Sequence, residues 1–439
     1  MMSSPKGYGM HKNVFVLGLD ELNRANLRTL RDAPRYRFHQ LLTIDELQHG
    51  DTIPLPDLLD KARRQLDAFD GTVDAIVGYW DFPVSLMVPI LCEERGMPSA
   101  QLTSVVKCEH KYWSRLEQQK VIDEHPRFGL IDLDGDDPGL PDGLSYPVWV
   151  KPVKSAASEG AYRCANDGEL RRKLAKVREE AGRMGEPFAF VLSLVELPPE
   201  IAAVGGTACL VEEASRGQQI TAEGYVHDGD VTVYGVVDSV HYPGTTSFLR
   251  YEYPSRLPDQ VTKRIADVTR RVIGAVGLDR STFNIEYFWD ADSSRLELLE
   301  INPRHSQSHA RLFQLVDGLP NHQFMIDLAM GADPEVRAGE GPYDVAAKWF
   351  VRWFADGVVR AVPSPSEIAQ LEQDVPGSTI AVTVEEGDRL SDLHGEDSYS
   401  FVLAHLYIGA ANEDDLVDKF EKCAGGLHFE IEEHPARGG

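Results

Sequence analysis

Cysteine is scarce and scattered: five residues in 439 (Cys92, Cys108, Cys164, Cys209 and Cys423), with no C-x-x-C spacing. That argues against a disulfide framework and a structural zinc site, and it fits a reducing, cytoplasmic setting. No stretch approaches the roughly eighteen uninterrupted apolar residues of a membrane span. The opening "MMSSPKGYGMHKNVFVLG" has no signal peptide's long apolar core or small-residue cleavage site, so no secretory leader is expected. Excess basic charge is missing too. A formal net charge of −26 argues against wrapping DNA or RNA, whose phosphates need a positive surface. A small polyanion is not excluded, because a few local Lys and Arg residues plus a metal can hold phosphates within an acidic protein. Finally, Gly18 follows an apolar run without a G-x-G-x-x-G, so no dinucleotide site is expected there.

What is present is an ordinary globular balance, 42% hydrophobic and 26% charged, over a length that suits two to four domains with real cores. In the first hundred residues "NVFVLGL" (13–19) and "VDAIVGYWD" (73–81) read as buried strands. "VSLMVPILCEERG" (84–96) reads as a helix and "MPSAQLTS" as an extended return, which is α/β with a mostly parallel sheet. From about Lys107 the texture becomes α+β: one helix over 107–126, then an acidic Gly/Pro/Asp loop from Asp132 to Gly143. Next come a strand, a small-residue loop and a charged helix, followed by an antiparallel meander whose "DGD" (228–230) marks a hairpin turn. A helix near 260–276 precedes two strands around "DADSS", and a β-rich region with a final helix begins near Asp344.

The stretch "LELLEINPRHSQSH" (296–309) carries the chemistry. Alternation along a half-buried strand puts Glu300 and Asn302 on one face with Leu296 and Leu298, where an unpaired carboxylate is costly. Folding the hairpin about Ser293 brings Glu286 opposite Glu300, and like charges so opposed destabilise a sheet. A hard divalent cation such as Mg²⁺ would neutralise them. An exposed face or a slipped register would resolve the conflict equally well. Arg304 projects past the strand end, able to reach phosphates on that cation or simply to pair with a nearby carboxylate.

Four stretches in order, "HKYWSR", "YPVWVKPVKSAASEG", "LVEEASRGQQITAEGYVHDGD" and "FNIEYFWDADSSRLELLEINPR", make the chain resemble the ATP-grasp superfamily. Within it the likeness is to carboxylate–amine ligases of the L-amino-acid ligase type, relatives of the biotin carboxylase fold. The resemblance implies a Rossmann-like pre-grasp domain over 1–106. It further implies an ATP-grasp domain over 107–335, with a mobile lid at about 161–230, and a C-terminal cap over 344–439. It implies ATP and Mg²⁺ (or Mn²⁺) as cofactors. Lys111 and Lys151 would be the ATP lysines, and Ser158 would lie in the phosphate loop. Glu212, Glu213 and Ala214 would form the hinge that reads adenine. Gln219 and Glu223 would lie near the ribose. Glu286, Glu300 and Asn302 would be the metal ligands, and Arg304, with Lys151, the catalytic cations. Arg250, His241, His305, Ser306 and His309 would border the second substrate.

Three positions depart from the family pattern. Ala156 and Ala157 stand where glycine is common in the phosphate loop, Gln219 where a glutamate is common, and "NPRHSQSH" replaces a glycine-rich continuation. The implied reaction is two-step: acylphosphate formation with release of ADP, then attack by an amine. Partners would be small carboxylates and amines, amino acids above all, with a homodimer compatible and neither nucleic acid nor membrane expected. Biotin-dependent carboxylation is the enzymatic alternative. That family carries a glutamate four residues beyond the arginine, where Ser308 stands here, and no biotin-carrier "A-M-K-M" signature occurs. A non-catalytic nucleotide-binding protein is the other alternative.

Overall fold

The computed structural model describes residues 11–48, 52–133, 138–155, 160–393 and 400–433. Near the N-terminus, β1 (Lys12–Leu17), β2 (Tyr36–Leu41) and β3 (Ala75–Val77) form a parallel sheet in the order β2-β1-β3. Val14, Phe15, Val16 and Leu17 are all buried, as a strand covered on both faces requires. Helices Leu55–Asp67 and Val84–Glu94 supply the covering leucines and valines, completing a Rossmann-like unit. The expected extended return after Gly96 is short. Leu102–Glu109 is helical, and the single helix expected beyond it is two, broken at His110. The His110 ring makes that break: its Nδ1 accepts the Trp113 amide (3.1 Å), capping helix Lys111–Gln118.

A small antiparallel sheet follows, with β4 (Phe128–Ile131), β5 (Val148–Pro152), β6 (Tyr162–Cys164) and β7 (Cys209–Glu213) in the order β4-β7-β5-β6. Helix Asp167–Leu192 packs on it through Leu170, Leu174 and Val177. This unit begins earlier than the lid expected at 161–230 and ends sooner. Residues 218–230 belong instead to the large sheet, because their alternating apolar positions pair with the carboxylate hairpin.

The large sheet is eight-stranded and organises the molecule. Its strands are β8 (Gln218–His227), β9 (Asp230–His241), β10 (Phe248–Tyr253), β11 (Ser281–Asp290), β12 (Arg295–Asn302), β13 (Val345–Trp353), β15 (Ser378–Val382) and β16 (Phe401–Ala410). Their order is β12-β11-β8-β9-β10-β13-β16-β15. The C-terminal region is therefore not a separate cap: β13, β15 and β16 continue the sheet from β10. Only β14 (Gly357–Ala361) and β17 (Glu430–Glu433) pair apart from it. One face of β11 and β12 buries Phe283, Ile285, Tyr287, Leu296 and Leu298 against Ile265, Val268 and Val272 of helix Asp259–Val276. The Tyr287 and Thr269 hydroxyls meet at 2.7 Å within that contact.

Where β8 starts beside the end of β11, Gly217 has φ +102°, and a Cβ there would stand 2.1 Å from the Trp289 carbonyl oxygen. Gly217→Ala is therefore expected to destabilise the fold by about 1–3 kcal/mol. The readout is a lowered urea midpoint at unchanged slope; an unmoved midpoint would contradict the argument.

Candidate active site

The hairpin register opposes Glu286 to Glu300 and Asn284 to Asn302, as folding about the turn requires. A bulge between Glu286 and Tyr287 on one side, at Leu299 on the other, changes the rest of the expectation. Tyr287 pairs with Leu298, so Glu300 does not share a face with Leu296 and Leu298. One extra residue lets the leucines enter the core while both carboxylates stay on the opposite face, half-buried. Gln219 Nε2 donates to Glu286 Oε2 (2.7 Å), and Lys111 Nζ donates to Glu300 Oε2 (2.7 Å).

The two acids then separate in acidity. Burial, reinforced by repulsion from Glu300, pushes the Glu286 carboxyl well up. Burial would raise Glu300 too, but Lys111 outweighs it and holds Glu300 down, with Lys151 and Arg304 assisting. The Asn302 amide donates to Asn284 Oδ1 (3.0 Å), which turns its own oxygen free of that bond. The result is an all-oxygen donor set with excess negative charge, the kind a hard divalent cation accepts. Among the described residues no group of three or more His, Cys, Asp or Glu could hold a metal, and this set reaches three side chains only with the Asn302 amide. These residues fit Mg²⁺.

Positive groups converge on the same place. Lys111 opens its helix at the cleft, and Lys151, from the end of β5, puts Nζ 2.6 Å from Glu212 Oε2. Burial lowers the Lys151 pKa, Glu212 opposes that, and Lys111 and Arg115 add repulsion. Lys154, buried, is bonded to Glu109 and lies over the Phe82 ring (4.8 Å). The cleft between these groups is lined by Asp81, Glu109, Lys111, Ser155, Glu300 and Asn302. At its edge Arg304 gives both Nε (2.9 Å) and Nη2 (2.5 Å) to Asp81 Oδ1. That leaves Nη1 for a ligand.

Several of the expected residues have partners within the protein. Gln219 donates to Glu286. Glu223 is fully buried, its carboxylate taken by the Ser306 amide, the Tyr234 hydroxyl and His309 Nδ1. It thus fixes the 305–309 loop from beneath and is not free to meet a sugar. In the hinge, the amides of Glu213 and Ala214 already donate to the Arg127 and Pro147 carbonyls (2.9 Å each), so a base reading either amide would have to break a bond. The Glu212 side chain is committed to Arg115 and Lys151.

Arg250 faces away from the site. It pairs with Glu252 and Glu413 and stacks over Trp349, while its neighbour Tyr251 points to the carboxylate face. His305 is a core residue, bonded to Thr282 and packed beside His322 and Tyr79; burial drives its pKa far down. His309 is buried against Glu223 and the Tyr251 ring. Ser306 is tied by its amide to Glu223 and by its carbonyl to Asn321. His241 stacks on Phe248 on the site's side of the sheet. Ser158, Ala156 and Ala157 lie outside the described residues.

Two participants stand outside the sequence expectations. Asp81 lies just past the carboxyl end of β3, the end of a parallel sheet where ligands gather. Arg115, buried at 2% exposure, joins Glu212 Oε1 (2.5 Å), Gln118 and the Leu299 carbonyl (2.6 Å). Its i+4 spacing from Lys111 puts both cations on one helix face, which is the clue the pattern did hold.

Burial alone would raise the Glu212 carboxyl, but Arg115 and Lys151 overcome it and hold it at about 2. This folded value lies below the unfolded one of about 4.3. The stabilisation is therefore complete above the unfolded value and is lost as pH falls toward 2. Glu212→Gln is expected to cost about 3–5 kcal/mol at neutral pH, because it leaves two buried cations unpaired. It should also flatten the acid limb of the stability profile. Urea denaturation across pH reads both, and an unchanged acid limb would refute the triad.

Residues 144–310 match the model of the ATP-grasp domain. The carbamoyl phosphate synthase large chain of Thermotoga sp. (strain RQ2) is 25% identical over 236 residues, 53% of this chain and 19% of the relative. The chain thus spans about a fifth of that relative's length. The D-alanine–D-alanine ligase of Azoarcus sp. (strain BH72) is 24% identical over 185 residues, 40% of this chain and 51% of that one. Among solved structures, L-amino acid ligase from Bacillus licheniformis superimposes with a TM-score of 0.71 at 14% identity, covering 97% of this chain and all of the other. Biotin carboxylase from Campylobacter jejuni superimposes at 0.66 and 13%, covering 96% and 92%. The domain match lies over β5, β6 and β7 of the small sheet, the carboxylate hairpin and Arg304, so residues 144–310 carry the ATP-grasp domain.

Proposed function

We propose that this chain is an ATP-dependent carboxylate–amine ligase that forms an amide or peptide bond through an acylphosphate. The observation that carries the reading is the convergence of Lys111, Lys151 and Arg304 on Glu300, which faces Glu286 across the hairpin and lines a cleft with Lys111 and Asn302. Glu286, Glu300 and Asn302 would hold Mg²⁺, which supplies positive charge to the phosphate oxygens. Lys151 and Lys111 would bind the nucleotide's phosphates, exchanging Glu212 and Glu300 for phosphate oxygens as ion-pair partners. Arg304, through Nη1, would steady the group in transfer while Asp81 keeps the guanidinium aligned.

The substrate carboxylate oxygen attacks the γ-phosphorus, and the bond from that phosphorus to the bridging oxygen breaks, with ADP leaving. The amine nitrogen then attacks the acyl carbon. The C–N bond forms, phosphate departs with the bonding electrons of the C–O bond, and the nitrogen gives up a proton. Such chemistry asks for positioning and electrostatic stabilisation rather than for a nucleophile from the protein. Acylphosphates hydrolyse, so the site must exclude water. A small sheet hinged beside the cleft, near residue 213, is suited to that.

ADP release from the full chain with Mg²⁺, ATP and pairs of amino acids tests the reading. Release that requires both a carboxylate and an amine is expected. Release that instead requires bicarbonate and biotin would assign carboxylation, and silence with every pair would leave a nucleotide-binding protein. Glu286→Gln with Glu300→Gln should abolish turnover. Arg304→Met should cut it by about a hundredfold or more; full activity in the double variant would overturn the metal assignment.

A further inference from the structure

Lys348, in the middle of β13, is a buried cation with no anionic partner among the described residues. It is 5% exposed, and its Nζ has one polar neighbour, Ser308 Oγ at 3.2 Å. The Phe350 ring lies 4.9 Å away and the Tyr407 ring 5.7 Å away. Among the described residues no carboxylate pairs with it. The charged neighbour on the same strand is Arg352, and burial with the repulsion of Lys348 and Arg352 keeps the nearby His405 imidazole neutral. Burial first, and then Arg352, lower its pKa to about 7. A methionine or leucine would fill the same volume without the cost of desolvating an ammonium, and cation–π contacts recover only part of that cost.

Register ties this group to the proposed reaction. Glu300 pairs with Glu286, and Glu286 with Thr221. On the same face Gln219 pairs with Ser239, Ser239 with Tyr251, and Tyr251 with Lys348. The face that bears the acid pair therefore continues to Lys348. Tyr251 occupies the interval. Its ring meets His309 edge-on at 4.9 Å, and its hydroxyl, raised chiefly by burial, senses both Glu286 and Arg304 on one side and Arg352 on the other. Ser308 itself follows Arg304 by four residues in one loop, a span of at most about 14 Å of backbone.

We propose that Lys348 and Ser308 form a carboxylate-binding subsite, and that it holds the non-reacting carboxylate of an amino-acid substrate. The amphipathic walls match this ligand: Phe350 and Tyr407 pack on methylenes while the ammonium and hydroxyl take the anion. The identity of the ligand as a substrate rests on the ligase reading; the binding itself does not.

The test is calorimetric titration of the full chain, with Mg²⁺ and ADP present, by L-amino acids and by the same compounds with the α-carboxylate or the side-chain carboxylate converted to an amide. The wild type is expected to bind at least one acid about 30-fold more tightly than its amide. Which amide loses affinity identifies the carboxylate held. Lys348→Met should bring acid and amide within about threefold, Lys348→Arg should keep part of the preference, and ADP affinity should stay within about twofold throughout. Ser308→Ala, which leaves the packing intact, should cost about three- to tenfold on the acid alone and serves if Lys348→Met fails to fold. An acid-to-amide ratio unchanged in the variants, or no acid preference in the wild type, overturns the subsite. If turnover fails with every pair yet the preference depends on Lys348, the ligase reading falls and the subsite stands. The reverse result keeps the ligase and removes the subsite.

Discussion

Two carboxylates opposed across a β-ribbon set the terms for the rest of the molecule. Neither Glu286 nor Glu300 sits there without compensation, and each nearby cation reaches the pair from a different element. Lys111 comes from a helix start, Lys151 from the small sheet and Arg304 from the loop beyond the hairpin. The cations in turn carry counter-charges of their own, Glu212 for Lys151 and Asp81 for Arg304. Mutual attraction thus draws the N-terminal unit, the small sheet and the large sheet onto a single cleft. A binding event that brings phosphates and a divalent ion would exchange these internal partners for external ones.

The positive and negative regions of the large sheet's site face are unequal in kind. Around the acid pair Glu300 meets Lys111, Lys151 meets Glu212, Arg304 meets Asp81, and Glu286 accepts from the Gln219 amide. Around Lys348 the charge is left to Ser308 and two aromatic rings. A site whose far end carries an uncompensated ammonium suits a ligand whose remote end carries the opposite sign. Tyr251, lying between, is the residue through which the two regions touch.

Much of this was legible in the primary structure, and the failures have definite causes. The parallel N-terminal strands, the "DGD" hairpin turn and the Glu286–Glu300 register all follow from short-range patterns with strong turn signals. The sharing of a face by Glu300 and Leu298 does not, because a single-residue bulge inverts an argument built on strict alternation. The opposite facing of Arg250 and its neighbour Tyr251 has a related cause: adjacent strand residues alternate, and no local signal says which points inward. Long-range partners were the least visible. Asp81 lies 223 positions from Arg304, and a lone Asp after a strand carries no mark of its partner. The continuation of the sheet through β13 was hidden as well, since a strand's neighbour is chosen by tertiary packing rather than by its own sequence.

The bulge at Leu299 also bears on the outer margin of the large sheet. β12 is a terminal strand, and terminal strands expose unpaired amides and carbonyls that invite another chain to add on. Here the Leu298 amide is taken by the Glu124 carbonyl (2.8 Å) and the Leu299 carbonyl by Arg115. The extra residue that sorts acids from leucines therefore also turns backbone groups toward a covering segment of the same chain. Misassembly by strand addition is closed off at the margin nearest the chemistry.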